Sequence, residues 1–122
     1  MSTTRLIQEF MELVQIDSVS YAEGPFQQDL IGRFQALGLT IDEDATKEMT
    51  GLGANNFVAR LDGDPSIEPV FFSSHMDTVS PGQGIRTLEQ DGRIQSDRTT
   101  ILGADDKAGI AIMLELTKRL KE

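Results

Sequence analysis

The sequence has no cysteine, no tryptophan and a single histidine, His75, and these shortages exclude several kinds of chemistry. Without cysteine there is no disulfide framework, no thiol nucleophile and no thiolate-bound metal. No apolar run approaches the roughly 18 residues that a membrane-spanning helix needs, and the N-terminus lacks the basic-then-apolar layout of a secretory signal. We therefore predict a cytoplasmic protein in which any chemistry that requires imidazole depends on His75.

Positive charge is also scarce, since 20 acidic side chains outnumber 11 basic ones and give a net charge of −9. An acidic surface repels phosphate backbones and anionic lipid headgroups, so nucleic acids and membranes are poor candidate partners. Solubility explains most of this excess, and carboxylates gathered to hold a cation would explain a smaller share. A chain of 122 residues, 39% hydrophobic and 25% charged, is typical of one soluble globular domain.

The spacing of apolar residues predicts helices at both ends of the chain and short strands between them. Ser2 and Thr3 suit the N-cap of the first helix, because their hydroxyls can accept hydrogen bonds from its first amides. The predicted elements are helices through 6–14 and 25–37, strands at 39–41, 56–61 and 69–74, a hairpin around Asp91-Gly92, a strand at 99–102 and a helix from Lys107. The strand at 69–74 is apolar on both faces, as a central strand is. This order predicts an α/β domain with a largely buried sheet.

His75 and Asp77 follow the apolar strand at 69–74 directly. Residues two apart on a strand share a face, so the Asp77 carboxylate can accept the N–H of one ring nitrogen of His75. This contact fixes the tautomer and leaves the other nitrogen free to bind a metal. The alternative is a structural role, in which His75 caps the strand end and Asp77 begins a turn.

Asp105 and Asp106 come between the strand at 99–102 and the last helix. Carboxylates at a helix N-terminus interact favourably with the helix dipole, so an acidic N-cap is the structural alternative here. Both acidic segments follow the carboxyl end of a strand, and a doubly wound topology could bring His75 and Asp105 to one rim. Zn²⁺, Mn²⁺ and Co²⁺ all accept imidazole nitrogen together with carboxylate oxygen.

The two segments together resemble a known family. Ser-His-Met-Asp-Thr-Val at 74–79, followed by Thr-Ile-Leu-Gly-Ala-Asp-Asp-Lys-Ala-Gly at 100–109, is similar to the binuclear zinc exopeptidases related to carboxypeptidase G, aminoacylase and peptidase T. The sequence Gly-Ala-Asp-Asp-Lys-Ala-Gly-Ile-Ala most resembles that of the peptidase T-like tripeptide aminopeptidases. Residues 10–18 fit the opening helix of this family, so the resemblance spans the whole chain.

This resemblance implies an α/β zinc-exopeptidase catalytic domain with a mixed sheet flanked by helices, and it implies roles for three residues. His75 corresponds to a ligand of one metal, Asp105 to the carboxylate that bridges two metals, and Asp77 to the active-site aspartate that orients the histidine. It further implies a cis peptide bond after Asp105 and Zn²⁺ as cofactor, with Co²⁺ and Mn²⁺ as alternatives. The implied substrate is a small peptide, and the full-length enzyme is expected to be a homodimer.

Several parts of the family's machinery have no counterpart in this sequence. They are a Glu-Glu pair that supplies the general base and a ligand, a later carboxylate ligand, and a distal histidine. We therefore expect residues 1–122 to be the N-terminal part of a catalytic domain, without the rest of that domain or the lid and dimerisation domain, and to be inactive in isolation. The alternatives are a related zinc deacylase or carboxypeptidase, and a non-catalytic module that binds a partner.

Overall fold

The computed structural model describes residues 3–122 and has a mixed α/β architecture, which confirms the predicted class. Of the predicted caps, Ser2 lies outside the described residues, as does the side chain of Thr3. The described elements are α1 (Thr3–Val14), α2 (Gly24–Ala36), β1 (Thr40–Glu43), α3 (Thr46–Thr50), β2 (Phe57–Arg60), β3 (Thr87–Gln90), β4 (Arg93–Ser96) and α4 (Ala104–Lys121). Within residues 3–122, no helix is both long enough and apolar enough to cross a membrane.

The core lies between the three long helices, because each carries apolar residues three and four positions apart on one face. Its members include Leu13 and Val14 from α1, Phe26, Leu30 and Phe34 from α2, and Ile110 and Leu114 from α4. A buried carboxylate, Glu9 of α1, accepts hydrogen bonds from Arg33 of α2 and Lys118 of α4. One charged group therefore joins all three helices.

The strands form two separate two-stranded antiparallel sheets, β1 with β2 and β3 with β4. The predicted hairpin is confirmed, since Asp91 and Gly92 both have positive φ, 54° and 72°, as a two-residue turn of type I′ requires. Gly38 follows α2 with a φ of 85°, the left-handed conformation that ends many helices.

The segment 69–74, predicted to be a central strand, is not a strand, and neither is 99–102. Val70 and Phe71 are 77% and 75% exposed. A strand forms only when its backbone N–H and C=O groups pair with a neighbouring strand, and the described residues provide no such neighbour for 69–74. For the same reason, the two observed sheets are less buried than the single sheet predicted from the sequence.

One short backbone pairing places the segment after residue 74 against the N-terminal half of the chain. Val19 and Thr78 form an isolated parallel bridge. The Ser20 N–H donates to the Thr78 carbonyl at 3.0 Å, and the Thr78 N–H donates to the Ser18 carbonyl at 2.9 Å. The loop after α1 therefore fixes the position of residues 77–79, which include Asp77.

Candidate metal centre

His75 lies between the two carboxylates that the sequence singles out. Its Nδ1 is 2.9 Å from the backbone oxygen of Asp77 and 3.1 Å from Oδ1 of the same residue, while its Nε2 is 3.0 Å from Oδ1 of Asp105. The imidazole is 51% exposed and the Asp105 side chain is 95% exposed. The structure thus brings His75, Asp77 and Asp105 together on an accessible surface.

Both ring nitrogens of His75 face oxygen acceptors, which restricts the state of the ring. Nδ1 must donate its proton to Asp77, and Nε2 needs either a proton or a cation between itself and Asp105. The hydrogen bond with Asp105, supported by Asp77, outweighs the effect of burial and raises the pKa of His75 above its ordinary value. The arrangement therefore favours positive charge at Nε2, whether from a proton or from a metal.

The donor set fits a divalent transition metal. A neutral imidazole nitrogen and a carboxylate oxygen are ordinary ligands of Zn²⁺, and Asp77 supplies the second-nitrogen contact that ligating histidines usually have. Among residues 3–122, however, no group of three or more His, Cys, Asp or Glu side chains is arranged to hold a metal ion. A metal ion at His75 and Asp105 would therefore need further ligands.

A shallow cavity of about 310 Å³ opens beside this pair of residues. His75, Asp77 and Asp105 line it together with apolar residues that include Ile101 and Leu102. Apolar walls with a few convergent polar groups are the usual form of a small-molecule site.

Asp77 is itself held by a residue that sequence reasoning does not single out. The Ser20 hydroxyl donates to Asp77 Oδ2 at 2.5 Å, which leaves Oδ1 for the ring of His75. The backbone bridge between 18–20 and Thr78 fixes the position of this hydroxyl. The sequence signal is slight, because residues 17–20 are recognisable only as a break in the helical pattern.

Asp105 and Asp106 lie at the start of α4 without adopting helical dihedral angles. The peptide bond between them is cis, as the resemblance implies, and Gly103 precedes them with a φ of 82°. Asp106 turns away from the cavity. Its Oδ2 accepts a hydrogen bond from the Ser74 hydroxyl at 2.6 Å, and its Oδ1 accepts one from the Gly109 N–H at 3.2 Å.

Lys107 anchors the same end of α4 from inside the protein. It is only 1% exposed; its ammonium donates to the carbonyl of Ile16 and lies 4.2 Å from the centre of the Phe26 ring. Burial lowers the pKa of Lys107 to about 8, and the charge of Asp17 opposes this effect. The beginning of α4, with Asp105, is therefore attached to the end of α1.

Two solved peptidase structures match nearly the whole chain. The crystal structure of aminopeptidase PepT from Bacillus cereus ATCC 10987 superposes with a TM-score of 0.94 and 48% identity, over 97% of this chain and 32% of that one. A tripeptidase from Staphylococcus aureus subsp. aureus Mu50 gives 0.92 and 45% identity, with the same coverage.

Curated relatives also cover nearly the whole chain. YqjE of Bacillus subtilis strain 168, whose function is uncharacterised, is 48% identical over 97% of this chain and 32% of its own length. Peptidase T of Clostridium acetobutylicum is 32% identical over 87% of this chain and 27% of its own. The chain thus spans about a third of the length of the relatives it matches.

The profile of peptidase family M28 matches residues 56–122, which include His75, Asp77 and Asp105. This match covers more than half of the chain and all of the candidate metal centre, and on this evidence the chain belongs to peptidase family M28.

Proposed function

We propose that residues 1–122 form part of the catalytic domain of a metal-dependent aminopeptidase that removes the N-terminal residue from tripeptides. The observation that carries the proposal is the position of the His75 ring, with Asp77 on one nitrogen and Asp105 on the other. The names of the PepT, tripeptidase and Peptidase T relatives supply the substrate class. Cytoplasmic location and a homodimeric whole enzyme belong to the same proposal.

His75 and Asp105 act as metal ligands in this proposal, and Asp77 positions His75. Asp77 holds the proton on Nδ1, so that the lone pair of Nε2 is directed toward Asp105 and is available for a metal. Asp105, whose side chain is 95% exposed, would hold the ions through its carboxylate. When bound, a pair of Zn²⁺ ions, or of Co²⁺ or Mn²⁺, activates water and polarises the peptide carbonyl.

The cavity beside the ligands receives the end of the peptide where cleavage occurs. The apolar lining residues Ile101 and Leu102 accommodate an apolar side chain next to the polar groups of His75, Asp77 and Asp105. A general base and further ligands are also needed for hydrolysis, and we propose that the whole enzyme supplies them from outside these 122 residues. The isolated chain is accordingly expected to have no peptidase activity.

The decisive experiment begins by sequencing the gene downstream of the codon for Glu122 and expressing the entire encoded protein. The purified protein is then assayed with a tripeptide and with an N-acyl amino acid, before and after its metal is removed with a chelator. We expect turnover of the tripeptide that is lost with chelator and in His75→Ala. Glu48→Ala, an exposed carboxylate in α3, is the matched control and should retain activity.

Three results would contradict the proposal. A stop codon directly after Glu122 would leave the metal centre incomplete and favour a binding module. Preferential hydrolysis of the N-acyl amino acid would favour a deacylase. Tripeptide turnover by the isolated 122-residue chain, abolished by chelator, would show that no further ligands are required.

A further inference from the structure

We infer that Ser74, Asp106 and Gly109 form a positioning group that holds Asp105 against His75, an inference that rests on the proposed role of these two residues as metal ligands. Ser74 immediately precedes His75, and Asp106 immediately follows Asp105. The contact between Ser74 Oγ and Asp106 Oδ2, at 2.6 Å, therefore lies next to the contact between His75 Nε2 and Asp105 Oδ1, at 3.0 Å. The two chain segments are joined by two adjacent side-chain pairs.

The ligand pair needs such support because packing does not provide it. Both His75 and Asp105 have side chains that are at least half exposed. The segment before His75 belongs to no sheet, and Phe72, three residues earlier, is 51% exposed. After His75, the bridge between Val19 and Thr78 already fixes the chain. Before His75, the hydrogen bond from Ser74 to Asp106 fixes it, so the backbone is held on both sides of His75.

Gly109 completes the positioning group by making room for the carboxylate of Asp106. Its N–H donates to Asp106 Oδ1 at 3.2 Å. A Cβ at position 109 would lie 2.6 Å from Oδ1 and 2.7 Å from Oδ2 of Asp106, which is closer than carbon and oxygen can approach. Glycine at 109 therefore lets the Asp106 carboxylate reach both its donors, and any side chain there would displace it.

The single histidine makes a direct test possible, since its ring protons give the only imidazole signals in an NMR spectrum. In the metal-free chain, we expect a nuclear Overhauser effect between the His75 ring and the β-protons of Asp105. This signal should be lost in Ser74→Ala and in Asp106→Ala, while Ser74→Thr, which keeps the hydroxyl, should retain it. If Asp106→Ala does not fold, Ser74→Ala still provides the test.

Asp106→Asn separates positioning from charge. An asparagine at 106 can accept from the Gly109 N–H and donate to the Ser74 hydroxyl, so it keeps both contacts but loses the negative charge. We expect Asp106→Asn to preserve the signal between His75 and Asp105. Loss of Co²⁺ affinity in Asp106→Asn equal to that in Asp106→Ala would instead show that the charge of Asp106 acts on the metal, and would overturn the inference.

Titration of the entire encoded protein with Co²⁺ extends the test to metal binding. Contacts that orient ligands typically contribute about 10- to 100-fold in affinity, so Ser74→Ala and Asp106→Ala should each weaken binding by about 10-fold. The double variant should bind no more weakly than Asp106→Ala, because that substitution already removes the contact with Ser74. Unchanged affinity and an unchanged signal in both single variants would overturn the inference, as would absence of the signal in the wild-type chain.

The two proposals fail in different ways. If the wild-type chain shows the signal but the entire encoded protein binds no Co²⁺ in a manner that depends on His75, the ligand assignment is wrong, while the signal in Ser74→Ala still decides the positioning role. If His75-dependent binding is present and insensitive to Ser74 and Asp106, the ligand assignment stands and the positioning group is wrong.

Discussion

Replacing Gly109 by alanine should destabilise the protein, whereas the same change at Gly32 should stabilise it. A glycine inside a helix usually costs about 0.5–1 kcal/mol relative to alanine. Gly32 lies in α2, and a Cβ there would meet no other atom within 4 Å. Gly32→Ala should therefore raise the free energy of unfolding by about 0.5–1 kcal/mol.

Gly109→Ala gains the same helix propensity but loses the contacts of Asp106. The added Cβ would lie 2.6–2.9 Å from three atoms of that carboxylate, so the carboxylate must move away from Ser74 and from the backbone N–H at 109. Each lost hydrogen bond at a partly exposed site costs about 1 kcal/mol. The net effect is about 1 kcal/mol of destabilisation, and the two alanine variants should differ by about 2 kcal/mol.

Urea unfolding followed by far-UV circular dichroism measures this difference, provided that the slope with denaturant is unchanged between variants. A second prediction isolates the cause. In an Asp106→Ala background the carboxylate is gone, so Gly109→Ala should become stabilising by about the same amount as Gly32→Ala. If Gly109→Ala is already as stabilising as Gly32→Ala in the wild-type background, the steric argument is refuted.

Three other measurements test separate parts of the structure. Burial alone would raise the pKa of Glu9, but the hydrogen bonds from Lys118 and Arg33 lower it overall. The stability that these hydrogen bonds contribute is present above the unfolded pKa of about 4.3 and is lost as the pH falls through the lower folded pKa. Acid should therefore shift the urea midpoint less in Glu9→Gln than in the wild type. Asp77→Ala should weaken Co²⁺ binding by about 10-fold in a calorimetric titration, because the ring loses its orienting carboxylate. Phe71, 75% exposed within an apolar segment, should promote self-association, and Phe71→Asp should shift sedimentation toward the monomer.

The helices and the hairpin could be predicted from the sequence because their determinants are local. The apolar period that includes Leu13 marks the core face of α1, and Asp91-Gly92 specifies its own turn. The conformation of 69–74 could not be predicted in the same way, because an apolar segment becomes a strand only when partners pair with its backbone, and the described residues provide none. The one-turn helix α3 is unforeseen for another reason. The backbone N–H and the hydroxyl of Thr46, the first residue of α3, both donate to the Asp44 carboxylate. A periodic pattern of apolar residues does not predict such a contact.

The candidate metal centre shows the same division. His75 and Asp105 are recognisable because histidine and aspartate are residue types that can bind a metal, and because they occur in a pattern that resembles a family. Ser20 and Ser74 are not recognisable, because serine occurs at countless surface positions and its hydroxyl becomes informative only when its acceptor is known. The structure supplies those acceptors, Asp77 for Ser20 and Asp106 for Ser74.

The order of these pairs explains how His75 and Asp105, the proposed ligands, can be so exposed. Residues 74 and 75 meet 106 and 105 respectively, so the two segments run in opposite directions with one pair next to the other. His75 and Asp105 line the cavity, where their exposure would leave both side chains accessible to the proposed metal and substrate. The neighbouring pair is half-buried and bonded to α4, and it can therefore fix the distance that the exposed pair cannot fix for itself. Substitutions at 74, 106 and 109 should accordingly alter metal affinity although none of these residues is a proposed ligand.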